Sequence, residues 1–130
     1  MLEMSLIKHC SPTLASLKTA NLFSYSYSTE RDLRKSIRYW NEQMSCKGIR
    51  LTVMKKKDNR ALIYVCRISK LESVLANEDV AAFLKRYGYD GMGVDSALRR
   101  LKKRLRSSEE FPHEIGIFLG YPLEDVTGFI

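Results

Sequence analysis

Six consecutive apolar residues, Ala61-Leu62-Ile63-Tyr64-Val65-Cys66, constrain this 130-residue chain more than any other feature. A strand that is apolar at every position needs cover on both faces and a central place in its sheet. Just before it, Ile49, Leu51 and Val53 alternate with Arg50, Thr52 and Met54, which predicts a strand with one buried and one wet face. Asp58-Asn59 between the two suits a two-residue hairpin turn, because both residues tolerate positive φ. The hairpin then needs a third strand beside it. Residues 20–27, rich in aromatics and free of breakers, are the one segment that reads as such.

Helical signals surround these strands. Ser11-Pro12 reads as an N-cap followed by proline at the first helical position, opening a short helix to about Lys18. Thr29 and Asp32 have capping-box-like spacing, and Leu33, Ile37, Trp40 and Met44 recur along one face until Gly48 offers a left-handed cap. Ser69 and Glu72 open a helix through Leu75; Val80, Phe83, Leu84 and Tyr87 mark the next, stopped by Gly88. Val94, Leu98, Leu101 and Leu105 form an apolar stripe on a basic helix. Phe111-Pro112-His113-Glu114 and Tyr121-Pro122-Leu123-Glu124 each place proline near a helix start with acid in the first turn. The expectation is an α+β fold, a mixed three-stranded sheet covered by about six helices, in a single domain spanning 1–130.

Composition narrows the class. Hydrophobic residues make up 45% and charged residues 28%, ordinary for a globular chain and incompatible with collagen or wholesale disorder. Three cysteines, an odd number without a C-x-x-C, cannot close a disulfide framework, and no apolar run is long enough for a signal-peptide core or a membrane span. The expected setting is a reducing cytoplasm, with free thiols and no membrane partner. The net charge of +7 is unevenly placed. Residues 31–70 carry twelve Lys or Arg against three Asp or Glu, and residues 99–106 carry six with no acid. After Arg106 stand Glu109, Glu110, Glu114, Glu124 and Asp125 with no Lys or Arg. Such asymmetry attracts either an external polyanion or the chain's own acidic end.

The ends of the chain are the most specific part. His9-Cys10-Ser11-Pro12-Thr13-Leu14-Ala15, continuing through Lys18, Ala20, Asn21, Leu22, Phe23, Ser24 and Tyr25, resembles the opening signature of a bacterial family, domain of unknown function 3793. The run from Phe111-Pro112-His113-Glu114-Ile115-Gly116 through Ile117-Phe118-Leu119-Gly120-Tyr121-Pro122 to Leu123-Glu124-Asp125-Val126 resembles its second signature. The two cover about a quarter of the chain, with a looser likeness between them. The resemblance implies no activity, cofactor or catalytic residue. Members continue past the second signature with a polar, aromatic and Cys-bearing segment, whereas this chain stops at Ile130, so the resemblance implies a shorter or truncated variant.

Four readings compete for function. In the first, Cys10 at a helix N-terminus has a lowered thiol pKa and meets His113 as its base, with His9 and Glu114 nearby, Thr13 and Lys18 as polar support, and Glu114 orienting the imidazole. That makes a thiol-dependent or ligand-binding site joining the Cys10 turn to the His113 segment. In the second, the same imidazoles, thiol and carboxylate hold zinc, iron or haem, although adjacent His9-Cys10 lacks zinc-module spacing. In the third, Arg99, Arg100, Lys102, Lys103, Arg104 and Arg106 on the basic helix 94–106, with Lys55-Lys56-Lys57, contact the phosphates of a nucleic acid or bind another anionic or protein partner. In the fourth, all of these are scaffold: a free cysteine usually fills apolar space, and charge runs usually face water. Gly88-Tyr89-Asp90-Gly91-Met92-Gly93 follows a helix where a dinucleotide-binding loop must follow a strand, so it reads as a cap and loop. Tyr25, Tyr27, Tyr39, Trp40 and Tyr64 read as core aromatics rather than a stacking platform.

Overall fold

A computed structural model describes residues 2–15, 18–91 and 93–128. In chain order the elements are α1 (Leu2–Leu14), β1 (Ala20–Ser26), α2 (Glu30–Met44), β2 (Ile49–Lys57), β3 (Arg60–Arg67), α3 (Ile68–Ala76), α4 (Glu78–Lys85), α5 (Val94–Arg106), α6 (Ile115–Phe118) and α7 (Leu123–Thr127), with a 3-10 turn at Ser45–Lys47. The fold is α+β. Seven α-helices are found among the described residues where the sequence suggests about six, and none of them is long and apolar enough to cross a membrane.

The apolar strand β3 lies at the centre of the sheet, in the order β1-β3-β2. Both ladders are antiparallel, which differs from the expected mixed sheet. The reason is the connection: β1 and β2 run parallel to each other across the α2 crossover, but β3 inserts between them and turns every adjacent pair antiparallel. Asp58 and Asn59 both adopt positive φ, 52° and 59°, as the hairpin turn requires. Thr29 caps α2 by accepting a hydrogen bond from the Asp32 amide at 3.1 Å. Gly48 closes the 3-10 turn in the left-handed region, φ 71°.

Side-chain alternation along β3 separates two cores. Ala61, Ile63 and Val65 face a layer formed by α1 and α2, where Leu2, Leu6, Cys10 and Leu33 meet them. Tyr64 and Cys66 face the opposite layer, closed by Leu71, Phe83, Leu84, Leu98, Leu101, Phe118 and Val126 from α3 to α7. Double cover alters one expectation for β2. Met54, assigned to a wet face, is fully buried, because that face of β2 is covered by α5 and Met54 joins the second core.

The N-terminal segment departs furthest from its expectation. Pro12 sits inside α1, near its end, instead of at a helix start. Leu2, Leu6, Cys10 and Thr13 form the buried stripe of a helix that begins nine residues earlier than Ser11, and burial of that stripe outweighs the local preference of Ser-Pro for a helix start. The expected continuation to Lys18 passes through Ser16 and Leu17, which lie outside the described residues, as do Met92 of the glycine loop and Ile130 at the chain end. The last carbonyls of α1 find a partner in Arg67: its guanidinium donates to Thr13 O at 2.7 Å, to Leu14 O at 2.5 Å and to Lys47 O at 3.1 Å. A cation at the negative end of the helix dipole thus ties α1 to the end of β3.

Candidate functional site

Cys10 lies in the last turns of α1 with no accessible surface, among apolar neighbours. The expected N-terminal dipole is therefore absent at this thiol, and burial pushes it up to about 12, against a smaller lowering by Lys18. Cys66 is also held at about 12 by burial, while Cys46 is exposed. His113 belongs to the other layer, where its ring stands 6.4 Å from the Tyr87 ring, and Tyr87 packs against the second core. The sheet stands between sulfur and imidazole, so the expected Cys10–His113 pair does not form. His9 is exposed and stacks on Phe23 at 5.2 Å, and its carbonyl accepts from the Asn21 amide. Thr13 is buried and donates to Asn21 Oδ1 at 3.2 Å. Among the described residues no group of three His, Cys, Asp or Glu is arranged to hold a metal ion.

Glu114 does not face an imidazole. It is fully buried and accepts from Arg104 through two contacts, Nε to Oε2 at 2.5 Å and Nη2 to Oε1 at 3.0 Å, and from the Tyr89 hydroxyl at 3.0 Å. Burial, followed by the Glu114 carboxylate, pushes the Tyr89 hydroxyl well up and keeps it a donor; the Glu114 hydrogen bond holds Arg104 charged. Arg104 also lies over the Tyr87 ring at 5.0 Å. Of the six cations on α5, Arg104 is thus committed to the acidic end of the chain. Arg100 is committed as well: its Nε donates to Tyr87 O at 3.0 Å, and its guanidinium occupies the space that a side chain at Gly88 would need.

What the fold does bring together is the region just after the α1 end and the second signature. The Lys18 ammonium sits over the Tyr121 ring at 5.6 Å. Gly120, at φ 92°, packs so closely that a Cβ there would lie 2.7 Å from Thr19 Oγ1. Gly116 allows α6 and α7 to close in the same way, since a Cβ there would meet Val126 at 2.8 Å and Tyr121 at 3.5 Å. Between these supports lies a cleft of about 640 Å³ lined by His113, Ile115, Gly116, Tyr121, Asp125 and Val126. Its lining is mostly apolar, with one imidazole and one carboxylate among the lining residues and the Lys18 ammonium over Tyr121.

Sequence reasoning named His113 and Lys18 but assigned no role to Tyr121, Asp125, Ile115 or Val126. Their signal was present as a dense run of glycine, proline and aromatic residues in the tail, which marks close backbone approaches without saying what surrounds them. The tail without Lys or Arg, set against the acid-free run 99–106, did foreshadow the Arg104–Glu114 contact.

No curated protein and no solved structure matches this chain. Residues 6–130 match the family described as Protein of unknown function (DUF3793), and the chain belongs to that family.

Proposed function

We propose that this chain is a ligand-binding domain whose site is the His113–Val126 cleft, and that it takes a small planar molecule with an apolar body and one polar group. The observation that carries this reading is the composition of the cleft: Ile115, Gly116 and Val126 line it together with two rings, His113 and Tyr121, and Asp125 is its one carboxylate. Pockets of this kind bury the ligand body by contact and orient it with a few polar groups. The anchoring supports the same reading. The segment has only two short helices, yet a bidentate buried ion pair fixes its start and two close-packed glycines fix its turns, so the wall is held before any ligand arrives. In this picture Tyr121 and His113 sandwich the ring system, Lys18 or Asp125 selects its polar end, and Cys10, sealed in the other layer, takes no part.

Titration with indole and indole-3-carboxylate, followed by amide and imidazole NMR shifts, tests it. At about 0.4 kcal/mol per heavy atom over about ten atoms, a fitting probe binds with a Kd near 1 mM. The expected shifts are saturable, centre on residues 113–126 and disappear in Tyr121→Ala. Shifts scattered over the surface, absent shifts, or shifts indifferent to Tyr121→Ala would overturn the reading.

A further inference from the structure

Cations whose partners are themselves exposed gather at a corner distinct from the His113 cleft. Lys55 donates to Ser108 O at 3.1 Å, and Lys57 stands 3.6 Å from Glu109, so the hairpin end meets the segment that leaves α5. Lys55, Lys57 and Arg60 line a cleft of about 340 Å³ with Ser24 and Leu62, and Asp58 is its one acid. On the other side of β2, Lys56 joins Arg34 and Arg38 around a groove of about 270 Å³ with Leu33, Ile37 and Val53. From α5, Arg106 ends the helix two residues before Ser108, whose carbonyl takes Lys55, and Lys102 lies one turn earlier; Lys102 is pushed down first by burial and then by the positive charges of Arg106 and Lys56.

The intramolecular partners of these groups are exposed and readily exchanged. Lys56 pairs with Glu30 at 2.8 Å and Lys57 with Glu109, with all four side chains at least a third exposed. Surface pairs of this kind contribute little and give way to a denser anion. The cations are spread over a hairpin and two helices instead of converging on one point, which suits a repeating anion better than a lone phosphate. An anionic membrane would also want apolar side chains to insert. The exposed large apolar residues among those described are Met4, Ile7, Tyr39, Phe111 and Tyr121, none of which lies on the hairpin or on α5.

We propose that this corner binds the phosphodiester backbone of nucleic acid without reading its sequence. The site lies at the hairpin end and the C-terminal half of α5, and it excludes Arg100 and Arg104, which the basic-helix reading included.

Fluorescence anisotropy of the whole chain with a labelled duplex DNA of roughly 20 base pairs tests the proposal. About four phosphate contacts predict about a hundredfold weakening between about 50 mM and about 200 mM salt. A variant with Lys56→Ala, Lys102→Gln and Arg106→Ala is expected to lose at least about tenfold in affinity at the lower salt, and a variant with Lys8→Ala, Lys70→Ala and Lys85→Ala, which removes the same charge elsewhere, less than about threefold. If the first variant fails to fold, the single charge reversal Arg106→Glu serves in its place. No binding at the lower salt, equal losses in the two variants, or binding to phosphatidylserine vesicles as tight as to DNA and lost in the same variant, would overturn the proposal.

Discussion

Replacing Glu114 by Gln exchanges one oxygen for an amide nitrogen of nearly the same size, so its effect isolates charge and hydrogen bonding from volume. The carboxylate accepts three donations, two from Arg104 and one from Tyr89. A glutamine oxygen can stand in for Oε2, but its NH₂ then faces Arg104 Nη2 across 3.0 Å, donor against donor. Breaking a fully buried pair costs about 3–5 kcal/mol. Arg104 keeps 27% of its side chain in contact with solvent and retains the Tyr87 ring, so the expected loss for Glu114→Gln is about 2–3 kcal/mol. Over 130 residues the entropy of unfolding is about 0.27 kcal/mol per kelvin, which makes that loss about 7–11 °C in Tm. With a urea m-value of about 2 kcal/mol per molar, the midpoint falls by about 1–1.5 M. The reverse truncation, Arg104→Met, strands a carboxylate with no solvent contact and is expected to cost more, about 3–5 kcal/mol. Urea denaturation followed by circular dichroism at neutral pH measures both. A loss below about 0.5 kcal/mol for Glu114→Gln, or a smaller loss for Arg104→Met than for Glu114→Gln, refutes the reasoning.

Other parts of the fold give further expectations. In native protein near pH 8 a thiol reagent should modify Cys46 alone, with Cys10 and Cys66 reacting only on unfolding; a native stoichiometry above one thiol per chain contradicts the sealed positions. Both buried thiols are raised from 9.0 to about 12, so between those values the folded state keeps protons that the unfolded state has released. Stability therefore falls as pH rises, by about 1.4 kcal/mol per pH unit for each thiol, and the Cys10→Ala, Cys66→Ala double variant should flatten that slope in denaturation series. Gly120→Ala combines left-handed backbone with a Cβ 2.7 Å from Thr19 Oγ1 and should cost about 2–3 kcal/mol, read as a drop in Tm; a neutral effect would mean that the Thr19 contact yields freely. Arg67→Met removes three carbonyl contacts and should cost about 2–3 kcal/mol while loosening α1 first, seen as faster amide exchange in residues 6–14 than in β3.

Local sequence carried much of the scaffold. The uninterrupted apolar run of β3 announced a central strand, Asp58-Asn59 announced its turn, Thr29 opened α2 and Gly48 closed the 3-10 turn that follows it, because each of these signals acts through its own backbone or through neighbours a few residues away. Where a local preference opposed burial, burial won: Ser11-Pro12 reads as a helix start, yet the Leu2, Leu6, Cys10, Thr13 stripe draws the helix across it and carries the thiol into the core. His113 was visible as a titratable residue in an unusual segment, whereas the cleft around it was not, since the approach of α7 to α6 and of Gly120 to Thr19 depends on contacts between segments far apart in the chain.

Composition and periodicity thus settled the three strands, the double-sided cover of β3 and the opposition of a basic helix to an acidic tail, but not where α1 begins. The fold then assigned Cys10 and His113 to opposite faces of the sheet, turned Arg104 inward to Glu114, and left Lys56 and Arg106 exposed with Lys102 half-buried. The reason is one of range: caps, turns and amphipathic stripes are interactions over a few residues, whereas the face a side chain finally occupies follows from the order of strands and from bulges, which the whole chain sets at once.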